Sequence, residues 1–230
     1  MAAGIERILV PGYDLASSEA ALELASRRSE IIAAGVGIHP HFAAAATESD
    51  WGRLAILANE PGAVAIGEIG LDYFRNLSPP DVQRAAFARQ LDLAAAAHKP
   101  VLVHDRDAHT EITSKLLGWS GPGRGVRGVL HCFSGDAPMA LQLAAAGYYV
   151  SFALPVTFRK ASGPRAAAVA LPSGSILVET DAPWLAPGAG RRNEPTTALR
   201  VAAELARLRG ETPMSVTGQI RTAYERLLAP

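Results

Sequence analysis

The chain has 230 residues, 49% of them hydrophobic, which suffices for the core of one large α/β domain. Its 22 basic and 22 acidic residues cancel, so no overall charge favours nucleic acid or a membrane surface, and a phosphate-bearing substrate must be held by a local site. The single cysteine, Cys132, excludes an internal disulfide, no run reaches the ~20 apolar residues of a membrane span, and the N-terminal stretch lacks a signal-peptide core, so we expect a soluble, cytoplasmic protein.

Apolar runs bounded by turn residues predict seven β-strands. They comprise residues 7–10, 31–38, 63–66, 101–103, 126–130, 148–152 and 176–178. The first helix is predicted after a cap at Ser17 or Ser18, and the others at residues 47–58, 81–98, 108–117, 138–146, 163–170, 196–209 and 216–228. Strands that alternate with helices in this way are typical of a parallel sheet covered by helices.

Two architectures share this alternation. A doubly wound open sheet usually carries a glycine-rich phosphate loop after an early strand, and neither GxGxxG nor GxxxxGK[ST] occurs here. A (β/α) barrel instead places its chemistry at the carboxyl ends of several strands. Polar candidates follow four of the predicted strands, which favours the barrel.

Those four candidates are metal-binding residue types, and each follows a short apolar run: Glu68, His104, His131 and Asp181. Carboxylates and imidazoles together bind Zn, Mn or Mg and leave coordination positions open for water and substrate. A lone histidine after an apolar run is more often structural. Four separate titratable groups at strand mouths would each carry a desolvation cost if unpaired, so the set predicts a divalent metal site.

His39 and His41 form an H-x-H pair after the second predicted strand. On an extended segment such a pair directs both imidazoles to one face, which suits metal ligation. Pro40 ends ladder pairing, so His41 is expected in the loop beyond the strand. We expect His39 to lie near the substrate, with metal ligation its less favoured role.

Eight stretches form an ordered series over nearly the whole chain. They are PGYD (11–14), GIHPH (37–41), GEIGLDYFR (67–75), PVLVHDRDA (100–108), HCFSG (131–135), PVTFRKA (155–161), ETDAPWLAP (179–187) and RRNEP (191–195). Read together, they resemble the TatD family of metal-dependent deoxyribonucleases. The resemblance implies a (β/α)8 TIM barrel of the metal-dependent hydrolase type that cleaves phosphodiester bonds with one or two divalent ions, Mg, Mn or Zn.

The resemblance also implies roles for the four metal-binding candidates. Glu68 is expected to bind or bridge metal, His104 and His131 to hold one ion, and Asp181 to bind the other ion and help to activate the attacking water. Glu68 and Asp181 are thus the expected catalytic residues.

Three further side chains are expected to contact the substrate phosphate. They are His39, Arg106 and Arg159, since arginine is suited to bidentate capture of phosphate. Asp72, four residues after Glu68, is interpreted as a structural residue or a support for the metal ligands.

One departure from the family pattern concerns its opening strand, whose H-x-H pair completes the first metal site. Residues 1–6 are interpreted as the end of the helix that follows that strand. Seven strands are therefore expected where the family has eight, within a single domain over residues 1–230 that is truncated at its N-terminus. One ion would keep Glu68, His104 and His131, and the other only Glu68 and Asp181.

Three functional hypotheses stay open at this point. The first is a metal-dependent nuclease that removes nucleotides from DNA, of the 3′-5′ exonuclease type. The second is a hydrolase of a small ester, lactone or amide on the same barrel, because a fold does not fix its substrate. The third is a truncated, non-catalytic product. The expected partner is accordingly DNA or a small phosphodiester or ester, and the sequence leaves the oligomeric state open.

Overall fold

A computed structural model describes residues 4–123, 125–188 and 192–229. These residues form two compact units, one of Glu6–Val129 and one of Leu130–Ala229 to which Gly4 and Ile5 also belong. The first three residues of the segment interpreted as a helix end lie outside the described part, as does Arg191 of the RRNEP stretch, and residues 4–7 are not helical. Within the described residues, every helix is too short or too polar to cross a bilayer.

The first unit alternates parallel strands with helices. Its strands are β1 (Ile8–Pro11), β2 (Ile32–Val36), β3 (Ala63–Asp72) and β4 (Val101–Arg106), and its helices are α1 (Leu15–Arg27), α2 (Glu48–Leu57), α3 (Pro80–Ala96) and α4 (His109–Gly118), with a short 3-10 helix over Pro40–Ala45. Each strand pairs in parallel with the next one along the chain. β5 (Gly128–Leu130) begins in this unit and ends at the first residue of the other.

Two local features of the first unit differ from the sequence-based expectation. Asp14 caps α1 in place of Ser17 or Ser18, because its carboxylate accepts from the Ser17 amide at 2.8 Å and the Ser17 hydroxyl accepts in return from the Asp14 amide. β3 continues past the expected end at Ile66 as far as Asp72, with a register shift between Ile66 and Ile69. Glu68 therefore lies within a strand, at an irregularity that a pattern of apolar residues does not reveal.

The second unit contains the remaining helices and the last strands. β6 (Tyr148–Phe152) pairs in parallel with β7 (Ile176–Val178), and the helices are α5 (Ala137–Ala145), α6 (Ser162–Ala170), α7 (Ala198–Arg209) and α8 (Pro213–Leu227), with short 3-10 helices over Leu154–Thr157, Ser173–Ser175 and Pro195–Thr197. The strands are buried along most of their length, as expected for a sheet covered by helices.

Two buried glutamines of α3, Gln83 and Gln90, complete the backbone hydrogen bonding where β2 and β3 end. Gln90 accepts from the Ile38 amide at 2.7 Å and donates to the Ile38 carbonyl at 3.0 Å. Gln83 does the same for Asp72, at 2.8 Å and 3.1 Å. The two glutamines are seven residues apart, which places them on one face of the helix. α3 thus fixes the strand ends that lead to His39 and Asp72.

Replacing Gln90 with leucine tests this bracing. The Gln90→Leu variant keeps the side-chain volume but leaves a buried amide and carbonyl of Ile38 without partners, so we expect it to lower the free energy of unfolding by about 2–4 kcal/mol. Urea denaturation measures the change, with Gln142→Leu on the exposed face of α5 as the matched control. Equal stability of the two variants would contradict the bracing role.

A second prediction concerns Glu204 of α7, whose carboxylate bonds Arg207 at 2.8 Å and Arg165 at 2.7 Å. The bonds from Arg207 lower the pKa of Glu204 from 4.5 to about 2, assisted by Arg165 and opposed by burial. A depressed carboxyl pKa stabilises the fold above pH 4.5 and loses that effect as the pH falls toward 2. We expect wild type to exceed Glu204→Gln in unfolding free energy by about 1 kcal/mol at neutral pH, because Arg207 is largely exposed.

The measurement is chemical denaturation of both proteins from neutral pH down to about pH 2.5. The difference between them should shrink below pH 4.5. A difference in unfolding free energy that stays constant over the whole pH range would show that the charge of Glu204 contributes nothing to stability.

Candidate metal centre

The register of β3 against β4 places one histidine between two carboxylates. Gly70 pairs with His104, and the carboxylates of Glu68 and Asp72, two residues to either side of Gly70, both reach the His104 side chain. The His104 ring consequently faces both of them: its Nδ1 is 2.9 Å from Glu68 Oε1 and its Nε2 is 3.3 Å from Asp72 Oδ2. The alternation of Glu68, Gly70 and Asp72 along β3 thus builds the centre of the site.

Gly70 is required for this approach of β3 to β4. Its φ of +143° is rare for residues with a side chain, and a Cβ built on it would lie 2.0 Å from the carbonyl oxygen of His104. Glu68 is held separately, since its amide donates to the carbonyl of Gly12 on the β1 side at 2.8 Å. The carboxylate of Glu68 is thereby fixed at the irregularity of β3, with its side chain only 15% exposed.

His39 joins this pair from the end of β2. Its Nδ1 accepts the backbone amide of His41 at 3.1 Å, and its Nε2 lies 3.3 Å from Glu68 Oε1. Burial lowers the pKa of His39 despite the neighbouring carboxylate of Glu68, so the ring is neutral at neutral pH. A neutral ring that accepts at Nδ1 carries its proton on Nε2, which therefore donates to Glu68. This tautomer favours the predicted role near the substrate over metal ligation.

Asp72 is buried on the other side of His104, and its carboxylate contacts two histidines. Its Oδ2 accepts from His41 Nε2 at 2.6 Å as well as facing His104, and its Oδ1 accepts from the Arg75 amide at 2.7 Å. Burial would raise the pKa of Asp72, but the hydrogen bonds from His104, the Arg75 amide and His41 outweigh it and hold that pKa well below its ordinary value. Asp72 is therefore an anion that fixes two imidazoles.

The donor set fits a divalent cation. One ligand atom from each of His39, Glu68 and His104 can be chosen so that all three lie within 4.8 Å of one another. Because both ring nitrogens of His39 are engaged in the tautomer described above, Glu68 and His104 are the candidate ligands and His39 lies beside them. Mixed imidazole and carboxylate donors suit Zn and Mn, and they suit Mg when water completes the shell. Because Asp72 faces Nε2 of His104, the ring would offer Nδ1, the nitrogen beside Glu68, as its metal ligand.

The second unit carries the other predicted ligands. His131 directly follows β5, and its Nδ1 lies 3.1 Å from Glu179 Oε1, which also accepts the Cys132 amide at 2.9 Å. If His131 binds metal as predicted, Glu179 at Nδ1 would direct Nε2 toward the ion. Asp181 follows β7, half-buried, with a positive φ of 57°. The structure brings Glu68 and His104 together, while the metal roles of His131 and Asp181 stay predictions.

The two predicted arginines are both exposed. Arg106 ends β4, and its guanidinium carbon lies 4.4 Å above the centroid of the exposed Phe74 ring. Arg159 lies in the turn after the 3-10 helix Leu154–Thr157 of the second unit. Their contact with substrate stays a prediction. The supporting carboxylate Glu179 was not identified from sequence, and its only signal there is its position within the ETDAP stretch.

A carboxylate and imidazoles converging on parallel strands of an α/β scaffold define a metal-dependent hydrolase. Comparison with known proteins agrees. The family model described as "TatD related DNase" matches residues 1–229. The chain is 38% identical to the uncharacterized metal-dependent hydrolase YabD of Bacillus subtilis, over 90% of this chain and 81% of that protein. It is 37% identical to the 3′-5′ ssDNA/RNA exonuclease TatD of Enterobacter lignolyticus, over 97% and 89%.

Solved structures show the same likeness. The crystal structure of YJJV, a TatD homolog from Escherichia coli K12, superposes with a TM-score of 0.91 at 30% identity, covering 99% of this chain and 88% of that one. A TatD family hydrolase from Entamoeba histolytica, at 19% identity and a TM-score of 0.86, covers 100% and 86% and supports the fold alone. The chain belongs to the TatD-related DNase family. It has that family's TIM-barrel-like α/β fold, with seven strands in the described residues, and the predicted family, fold class and divalent-metal dependence are confirmed.

Substituting Asp72 tests the orientation of His104. An asparagine amide facing Nε2 can donate where the carboxylate only accepts, which favours the tautomer with the proton on Nδ1 and prevents Nδ1 from binding a metal ion. We expect Asp72→Asn to weaken zinc or manganese affinity about 10- to 100-fold. Titration calorimetry measures the affinity, with Asp81→Asn in the exposed first turn of α3 as the control. Equal affinity in both variants would exclude the orienting role.

Proposed function

We propose that this protein is a metal-dependent exonuclease that removes nucleotides from the 3′ end of single-stranded DNA or RNA. The observation that carries the proposal is the pairing of Glu68 with His104 at the register position of Gly70, in a chain that matches the family over residues 1–229. Relatives 37% and 39% identical to this chain bear the name 3′-5′ ssDNA/RNA exonuclease TatD, which supports the substrate class and polarity. The single cysteine fits a reducing compartment, and we propose the cytoplasm.

In this proposal, Glu68 and His104 are the metal ligands of the first unit, and His131 and Asp181 are the metal ligands of the second unit. When bound, a divalent ion supplies neutralisation of charge on the phosphoryl oxygens and a lower pKa for the attacking water. Asp181 receives the proton of that water. Asp72 and Glu179 keep His104 and His131 in the tautomers that expose one ring nitrogen each.

Other side chains of the chain position the nucleic acid. His39 donates through Nε2 toward Glu68, and the same N–H can donate to a phosphate oxygen beside that carboxylate. Arg106 is already ordered by stacking on Phe74, so less side-chain entropy is lost when its guanidinium captures a phosphate.

The test compares oligonucleotides labelled at either end. With Mg²⁺, Mn²⁺ or Zn²⁺ we expect release of labelled mononucleotides from 3′-labelled single strands, progressive shortening of 5′-labelled ones, and no reaction in EDTA. Glu68→Gln removes the negative charge of a proposed metal ligand and should lower kcat at least about 100-fold. The control is Glu225→Gln on the exposed face of α8. Unchanged turnover by Glu68→Gln, or hydrolysis of small esters with every oligonucleotide left intact, would refute the proposal.

A further inference from the structure

A cationic cavity lies within the second unit. It has a volume of about 620 Å³ and is lined by Thr157, Arg159, Arg165, Glu204 and Arg207. Three guanidinium groups against one carboxylate make its wall positive in a chain whose net charge is zero. Such a local concentration of arginines favours an anion with oxygens that can accept several hydrogen bonds.

Part of this wall has a structural explanation. Arg165 Nη1 donates to the Val156 carbonyl at 2.9 Å and to Glu204 at 2.7 Å, which joins α6 and α7 to the 3-10 helix before Arg159. Arg207 donates to Glu204 through Nε and Nη2, both at 2.8 Å. These bonds give Arg165 a structural role and occupy one edge of the Arg207 guanidinium. The Arg207 side chain is nevertheless 62% exposed.

Arg159 lacks such an explanation. Among the described residues its side chain has no hydrogen-bond or ion-pair partner, although the backbone around it is well anchored. The Phe158 amide donates to the Pro155 carbonyl at 2.9 Å, and the Ala161 amide donates to the Phe158 carbonyl at 3.0 Å. A fixed turn therefore presents at the cavity a guanidinium that no side chain in the described part of the chain pairs with.

The residue before Arg159 adds an aromatic surface. Phe158 is 56% exposed on the same turn, and the exposed Lys160 follows Arg159. An exposed phenylalanine alone is ordinary on a protein surface. Beside Arg159 and Lys160, and with Arg165 and Arg207 in the same cavity as Arg159, the ring matches the combination that binds single-stranded nucleic acid, in which bases stack on aromatic rings while cations follow the backbone. A free phosphate would use the arginines but leave the ring without a role.

We propose that this cavity binds a backbone phosphate of single-stranded DNA or RNA between Arg159 and Arg207, with the neighbouring base stacked on Phe158. This inference rests on the proposed function, since it assigns a binding subsite for the same substrate class. It extends the expected phosphate contact of Arg159 to a site with two further residues, and it explains how a chain without net charge can hold a polyanion.

Binding to metal-free protein tests the subsite apart from catalysis. Fluorescence anisotropy in EDTA gives the Kd of a short 5′-labelled single strand. We expect Phe158→Ala and Arg159→Ala each to raise Kd about tenfold. Arg159→Ala should also reduce the slope of log Kd against log salt concentration by about 0.7, the share of one phosphate contact. Phe158→Tyr, which keeps a ring, and Arg159→Lys, which keeps the charge, should bind nearly as wild type does.

Matched controls come from exposed residues of the same kinds. Val169→Ala removes an exposed apolar side chain from α6, and Arg7→Ala removes an exposed arginine of the first unit that, like Arg159, has no hydrogen-bond or ion-pair partner among the described residues. Thermal melts of all variants confirm folding. An oligonucleotide with abasic sites should be insensitive to Phe158→Ala while remaining sensitive to Arg159→Ala.

Each outcome separates the two proposals. Wild type that binds the single strand, with Phe158→Ala and Arg159→Ala no weaker than the controls, overturns the subsite and leaves the exonuclease proposal standing. If Arg159→Ala weakens binding of the single strand and Phe158→Ala does not, the cavity binds only the phosphate, and the base-stacking part of the proposal is overturned. Wild type that neither binds nor hydrolyses any oligonucleotide overturns the proposed function itself.

Discussion

The site depends on one register position, the pairing of Gly70 in β3 with His104 in β4. Because side chains alternate along a strand, this pairing places a carboxylate on either side of the His104 ring. A slip of one residue would turn Glu68 and Asp72 to the opposite face. The absence of a side chain at Gly70 lets the two strands approach closely, so glycine is a condition for the contacts of Glu68 and Asp72 with His104 as well as for the strand.

Two largely buried carboxylates beside one histidine are energetically unfavourable unless each carboxylate has hydrogen-bond or ion-pair partners. Asp72 is 2% exposed, yet its carboxylate faces two imidazoles and accepts a backbone amide, which explains why it stays ionised. Its own backbone is completed by Gln83 of α3. The chain of support therefore runs from a buried face of α3, through the strand ends, to the histidines, and stability and site geometry are coupled through the same hydrogen bonds.

Much of the fold followed from the sequence because its signals are local. The apolar runs gave all seven strands of the described residues, and the helices begin and end within a few residues of their predicted bounds. The cap at Asp14 and the extension of β3 to Asp72 were missed, since one depends on a side chain folding back onto its own turn and the other on an irregular pairing with β4. Neither leaves a distinct pattern in a single sequence.

The chemistry of the site was also predictable in kind. Glu68 and His104 stood out because each follows an apolar run, and the structure places them together. The pairs Asp72 with His41 and Glu179 with His131 were not predictable, because each joins residues far apart in the chain whose meeting depends on strand register and on the loops after the strands. Sequence identifies the ligand types, whereas the carboxylates that select a ring nitrogen emerge only from the folded chain.

The most direct measurement is an anomalous-scattering map from crystals of the protein grown with manganese or zinc. We predict a peak about 2.0–2.2 Å from a Glu68 carboxylate oxygen and from Nδ1 of His104, with Asp72 hydrogen-bonded to Nε2 of the same ring. A peak bound to Nε2 of His104 with Asp72 turned away, or a well-occupied ion that contacts neither Glu68 nor His104, would contradict the central role of the β3–β4 register.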